Sequence, residues 1–235
     1  MNVLVFKNAE EATEKAYDIF KKSFENGLKT LGLATGSTPL TLYEKIRTSG
    51  WDVSHVTTVN LDEYVGLSPA NPQSYNYYMQ EELFKYMNFK STNLPNGMAE
   101  DLQEECERYE QILKENPVDL QILGIGPNGH IGFNEPGTPF DSITHVVELA
   151  PSTREANKRF FDKEEEVPTK AITMGISSIM NAREIILLAF GPGKADAVRK
   201  MVEGPVTSDC PASVLQNHDH AWIILDEGSA GKLKR

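Results

Sequence analysis

The feature that most constrains this chain is the alternation, along its whole length, of short apolar, β-branched runs with amphipathic helical stretches. The runs are "VLVF" (3–6), "KTLGLA" (29–34), "HVTTVNL" (55–61), "DLQILGI" (119–125), "AITM" (171–174), "REIILLAF" (183–190) and "HAWIIL" (220–225). Such alternation predicts an α/β fold, with a largely parallel sheet covered by helices on both faces. Helix signals lie between the runs. Asn8 and Glu11 can form a capping box ahead of Ala12, Ala16, Ile19, Phe20 and Phe24 at helical spacing, with a stop at Gly27. Thr38 and Pro39 stand at the start of a second helix that ends before Gly50. The segment 137–170 has the weakest periodicity and reads as an excursion or lid over the sheet edge.

A chain of 235 residues without an internal repeat or a low-complexity linker is read as a single domain. Its formal charge of -11 argues against non-specific affinity for nucleic acid or an acidic membrane surface. An anionic ligand would therefore need a local positive site. Cys106 and Cys210 have no C-x-x-C spacing, and neither a signal peptide nor 18 consecutive apolar residues occurs. A reduced cytoplasmic protein is the expectation. Whether it works alone or as a homo-oligomer is left open by the sequence.

In open α/β sheets ligands sit outside the carboxyl ends of the strands, so the loops that follow the runs are where chemistry is expected. In "ATGSTP", Gly36 permits a tight turn, and the N–H groups and hydroxyls of Ser37 and Thr38 converge at a helix start. This reads as a phosphate cradle or as an ordinary capped turn. "GPGKADAV" (191–198) repeats the pattern and adds the Lys194 ammonium. In "VNLDEYVG", Asp62 and Glu63 follow a strand otherwise free of charge, and the pleat directs one of them to the site. A carboxylate there serves as a general base or as a turn residue.

The fourth loop, "LGIGPNGHIGFNEPG", contains Gly124, Gly126 and Gly129 in the G-x-G-x-x-G order of dinucleotide sites. A helix must follow such a loop, yet Gly132, Pro136 and Gly137 oppose one here. The alternative is a loop that sets Asn128, His130 and Glu135 beside one another, with His130 as a proton carrier. The other histidines have no constellation around them. His218 and His220 lack further ligands for a metal.

A phosphate cradle, a cation, a carboxylate and a histidine together suit proton transfer between C2 and C1 of a phosphorylated aldose. "LGLATGSTP", "VTTVNLDEYVGL", "LGIGPNGHIGFNEPG", "STREANKRFF" and "GPGKADAV", in this order, closely resemble the glucosamine-6-phosphate deaminase family. The resemblance implies a Rossmann-like fold and conversion of glucosamine 6-phosphate and water to fructose 6-phosphate and ammonia, with no metal or organic cofactor. By position it makes Asp62 the base that shuttles the C2 proton to C1 and His130 the residue that opens the sugar ring. Glu135 and Asn128 assist that histidine, while Ser37, Thr38, Lys194 and Arg154 contact the phosphate. The Gly36 and Gly129 backbones shape the loops. Many members have Asp where this chain has Asn128, and an amide takes up no charge, so more of the orienting role falls to Glu135.

Longer members activated by N-acetylglucosamine 6-phosphate continue past Arg235 and carry basic residues near His145 and Val147, so an unactivated enzyme is expected. The rival readings are a 6-phosphogluconolactonase, which would need no C2 base, and a sugar-phosphate-binding module without catalysis.

Overall fold

The computed structural model describes residues 1–158, 161 and 167–234. Its first half runs β1 (Asn2–Phe6), α1 (Ala9–Glu25), β2 (Thr30–Leu33), α2 (Leu40–Arg47), β3 (Thr57–Asn60), β4 (Asp62–Tyr64), α3 (Tyr75–Glu82), β5 (Ser91–Asn93) and α4 (Leu102–Glu115). Its second half runs β6 (Leu120–Leu123), β7 (His145–Glu148), α5 (Pro151–Lys158), β8 (Lys170–Thr173), α6 (Ile176–Met180), β9 (Glu184–Ala189), α7 (Ala195–Glu203) and β10 (Ala221–Asp226).

Seven strands form a parallel sheet in the order β1-β10-β9-β6-β2-β3-β5, flanked by helices. All residues of β2, β3 and β6 are buried, as expected of strands covered on both faces. The Asn8 side chain accepts the Glu11 N–H and starts α1, which turns Ala12, Ala16, Ile19 and Phe20 into the core. From β2 the chain steps outward to β3 and β5, then returns to β6 on the other side of β2. A crevice therefore opens at the carboxyl ends of β2 and β6, where the strand order reverses.

Three expectations need correction. The run "AITM" is not part of the parallel sheet: β8 is the middle strand of a separate antiparallel sheet, β4-β8-β7. Strands β4, β5 and β7 are three or four residues long and were not read from the sequence, because segments so short carry almost no periodicity. Thr38 is not a helix cap, since α2 begins at Leu40 behind Pro39 and no side chain caps it. Within the segment 137–170, β7 and α5 account for 145–148 and 151–158, while residues 159, 160 and 162–166 lie outside those described.

The small sheet positions the site. Asp62 pairs in register with Thr173 on β8, and Thr173 Oγ1 accepts the N–H of Phe133 from the loop after β6. Asn134 Nδ2 donates to the carbonyls of Ile131 and Met174, fastening the same loop to the chain just beyond β8. The loop is thereby brought against β4 by bonds between residues some 40 positions apart.

Candidate active site

A cleft of about 710 Å³ opens at the crevice. Its lining includes Gly36, Ser37 and Thr38 after β2, Asp62 on β4, Asn128 and His130 after β6, and Lys194 ahead of α7. Three loops and a short strand, separated in sequence, thus meet on one space.

Asp62 is only 6% exposed. Burial, and secondarily the negative Glu63 beside it, push its carboxyl up to about 8, and no hydrogen bond from a described residue offsets this. Such a group holds or releases a proton near neutral pH. Glu63 points away from the cleft, as the pleat requires. Its carboxylate accepts the N–H groups of Tyr64, Tyr75 and Asn76 at 2.8, 2.9 and 2.8 Å. Burial raises its pKa, and the three N–H donors pull it back.

His130 owes its place to a glycine. A Cβ on Gly126 would fall 2.2–2.4 Å from three atoms of the imidazole, so the ring lies flat against bare backbone. The Gly126 N–H donates to the His130 carbonyl at 2.9 Å and closes the turn. His130 Nδ1 stands 3.4 Å from Glu135 Oε2, buried and without an aligned hydrogen bond. Asn128 braces both residues: its Nδ2 donates to Glu135 Oε2 at 2.5 Å, and its Oδ1 accepts the His130 N–H at 3.2 Å. No helix follows this loop, as the glycines and proline after Gly129 required. At Gly132, φ is +57°, and Asp62 Oδ2 would be 3.6 Å from a Cβ there, so the histidine loop and the carboxylate are in close approach.

Lys194, also on the lining, donates from Nζ to the Ile125 carbonyl at 2.7 Å, which holds its ammonium between the loops after β6 and β9. Gly36, Ser37 and Thr38 line the same cleft. Arg154 is not brought to this lining. It sits on α5, and its Nε is buried without a partner among the described residues. Glu135 and Gly129 lie behind the lining, the one beside His130 and the other against Cys210 Sγ. Among the described residues no group of three or more His, Cys, Asp or Glu side chains is placed to hold a metal ion.

The chain matches the family model for glucosamine-6-phosphate isomerases/6-phosphogluconolactonase over residues 5–224. The chain belongs to that family. A glucosamine-6-phosphate deaminase of Lactobacillus delbrueckii subsp. bulgaricus is 59% identical over 234 residues, covering 100% of both chains. The solved structure of a monomeric glucosamine-6-phosphate deaminase superposes with a TM-score of 0.93 at 44% identity, over 98% of this chain and 99% of that one. A 6-phosphogluconolactonase from Trypanosoma brucei shares the fold, with a TM-score of 0.78, 18% identity and coverage of 99% and 98%.

One wall of the family's cleft in this chain was missed by motif reasoning. Tyr64, Tyr75, Phe133 and Phe161 form an aromatic cluster, with Tyr64 and Tyr75 centroids 4.6 Å apart and Tyr75 stacked on Phe133 at 6.1 Å. The tyrosine-rich "SYNYYM" (74–79) is the one local signal for it. Tyrosines at adjacent helical positions read equally well as core, and only the cleft behind Asp62 gives them a role.

Proposed function

We propose that the chain is a glucosamine-6-phosphate deaminase, which in the cytoplasm converts glucosamine 6-phosphate and water to fructose 6-phosphate and ammonia. What carries the reading is Asp62: a buried carboxyl held near 8, on the cleft wall beside the histidine loop, is suited to taking a proton from carbon. Full-length relatives with that activity in their names support it.

In this reading the phosphate sits between the 36–38 loop and Lys194, held by backbone N–H groups, hydroxyls and an ammonium. Arg154, on α5 outside the lining, serves as a phosphate contact only if α5 moves toward the cleft on binding. His130 moves a proton from O1 to O5, which breaks the C1–O5 bond and opens the ring. Glu135 steadies the imidazolium, and Asn128 keeps Glu135 in place. Asp62 then takes the C2 proton while the 2-ammonium group gives a proton to O1, which yields an enolamine, and Asp62 returns its proton to C1. The resulting C2 iminium adds water and loses ammonia to leave the ketose.

The second reading, lactone hydrolysis, is favoured only by the family description and by a shared fold at 18% identity. The deciding assay offers glucosamine 6-phosphate and 6-phosphogluconolactone to the same preparation. Stoichiometric ammonia and fructose 6-phosphate from the first is the expected result. Turnover of the lactone alone would replace the reading, and binding without turnover of either would leave a sugar-phosphate-binding module.

A further inference from the structure

Helix α3 contributes to the cleft wall, and it is fastened to three other parts of the site. Its first turn is held by Glu63, whose carboxylate accepts the N–H groups of Tyr75 and Asn76 while its backbone continues β4 beside Asp62. Ser74 adds a side-chain cap to the Tyr77 N–H. One turn on, the Tyr78 hydroxyl donates to the Gly36 carbonyl at 2.6 Å, and the Tyr75 hydroxyl bonds the Thr35 side chain. The last turn is tied to α2, the helix that the 36–38 loop enters, by Arg47 Nη1 on the Glu82 carbonyl and carboxylate at 2.6 and 3.0 Å.

The loop itself has little else to hold its tip. Tyr43 grips its stem at Ala34, but neither Thr38 nor Pro39 caps the following helix. A loop with φ of +92° at Gly36 and no cap is compliant. Phosphate binds most tightly to N–H groups and hydroxyls already held in place, because the cost of ordering a loose loop is subtracted from the binding free energy.

We propose that α3 is a strut that sets the position of the phosphate loop relative to the Asp62 carboxylate. Glu63 anchors it to the base strand and Tyr78 transmits that anchor to Gly36, both acting as positioning residues. The inference rests on the reading of the 36–38 loop as the phosphate site.

The test uses calorimetric binding of inorganic phosphate and of fructose 6-phosphate, beside steady-state kinetics on glucosamine 6-phosphate. Tyr78→Phe removes one hydroxyl and is expected to weaken both ligands about 3- to 10-fold, with KM rising by the same factor and the loss falling in KM rather than kcat. Glu63→Gln, which turns one of the two acceptor oxygens into a donor facing a backbone N–H, is expected to weaken the same ligands. The double variant should cost no more than the larger single loss, because the two residues act through one element. Unchanged phosphate affinity in Tyr78→Phe overturns the proposal, as does a double loss equal to the product of the single ones. Should Glu63→Gln fail to fold, Tyr78→Phe alone decides. A wild-type protein that binds both ligands but releases no ammonia would overturn the deaminase reading while leaving the strut tested by binding. One that binds neither overturns both.

Discussion

Asp62 and Glu63 are sequence neighbours with opposite assignments: Asp62 lines the cleft with an elevated pKa, and Glu63 faces away to accept three backbone N–H groups, two of them from α3. One extended residue pair thereby supplies both a buried cleft carboxyl and the anchor of α3.

Replacing Asp62 separates its chemistry from its stability cost. Asp62→Asn is expected to lower turnover by at least about 1000-fold and to stop exchange of the C2 proton with deuterated solvent, while fructose 6-phosphate binding persists. A carboxyl whose folded pKa lies above its unfolded one favours folding most below the unfolded value, near 4. That contribution is lost as pH rises through about 8. Asp62→Asn should therefore melt higher than wild type at pH 8 to 9, and the gap should narrow toward pH 4. Thermal melts across that range check it, and a gap that widens on acidification would refute the burial argument.

The same carboxyl should be visible in the rate. With Asp62 acting as base in its ionised form, kcat/KM should rise with pH through a limb near 8. The substrate amine also titrates, so the diagnostic is a shift of the limb with mutation. Removing the Glu63 charge in Glu63→Gln should move the limb to lower pH, since that charge is one of the two causes holding Asp62 up. An unmoved limb would assign it to the substrate.

Gly126→Ala adds a methyl group where the His130 ring lies. The ring must leave its seat, and turnover of the closed-ring substrate should fall about 100-fold. An open-chain analogue should be affected far less. Equal losses on the two substrates would argue that His130 is not chiefly a ring opener.

Asn128→Asp sets a second carboxylate against Glu135 Oε2 in place of an amide donor. Two like charges at that separation do not both ionise at neutral pH, so one of the pair takes up a proton. The pH profile of kcat/KM should gain an additional limb that the wild type lacks. A profile superposable on that of the wild type would show that Asn128 is neutral to the relay.

The seven apolar runs, the cap at Asn8, the stop at Gly27 and the absence of a helix after Gly129 were legible in the chain because they depend on neighbours within a turn or a few residues. Residues 36–38, 62, 128, 130 and 194 were legible as candidates for the same reason: loop chemistry at strand ends is local. What the tertiary structure decided is the set of relations between segments far apart. Pairing of Asp62 with Thr173 helps build the small sheet that carries the histidine loop to Asp62, and it joins strands too short to show periodicity. The bare face of Gly126 becomes a seat only once His130 folds over it, and Arg154 is left off the lining by the course of α5. Local patterns specify elements, whereas the distance from carboxyl to imidazole to phosphate loop is set by hydrogen bonds between residues that only folding brings together.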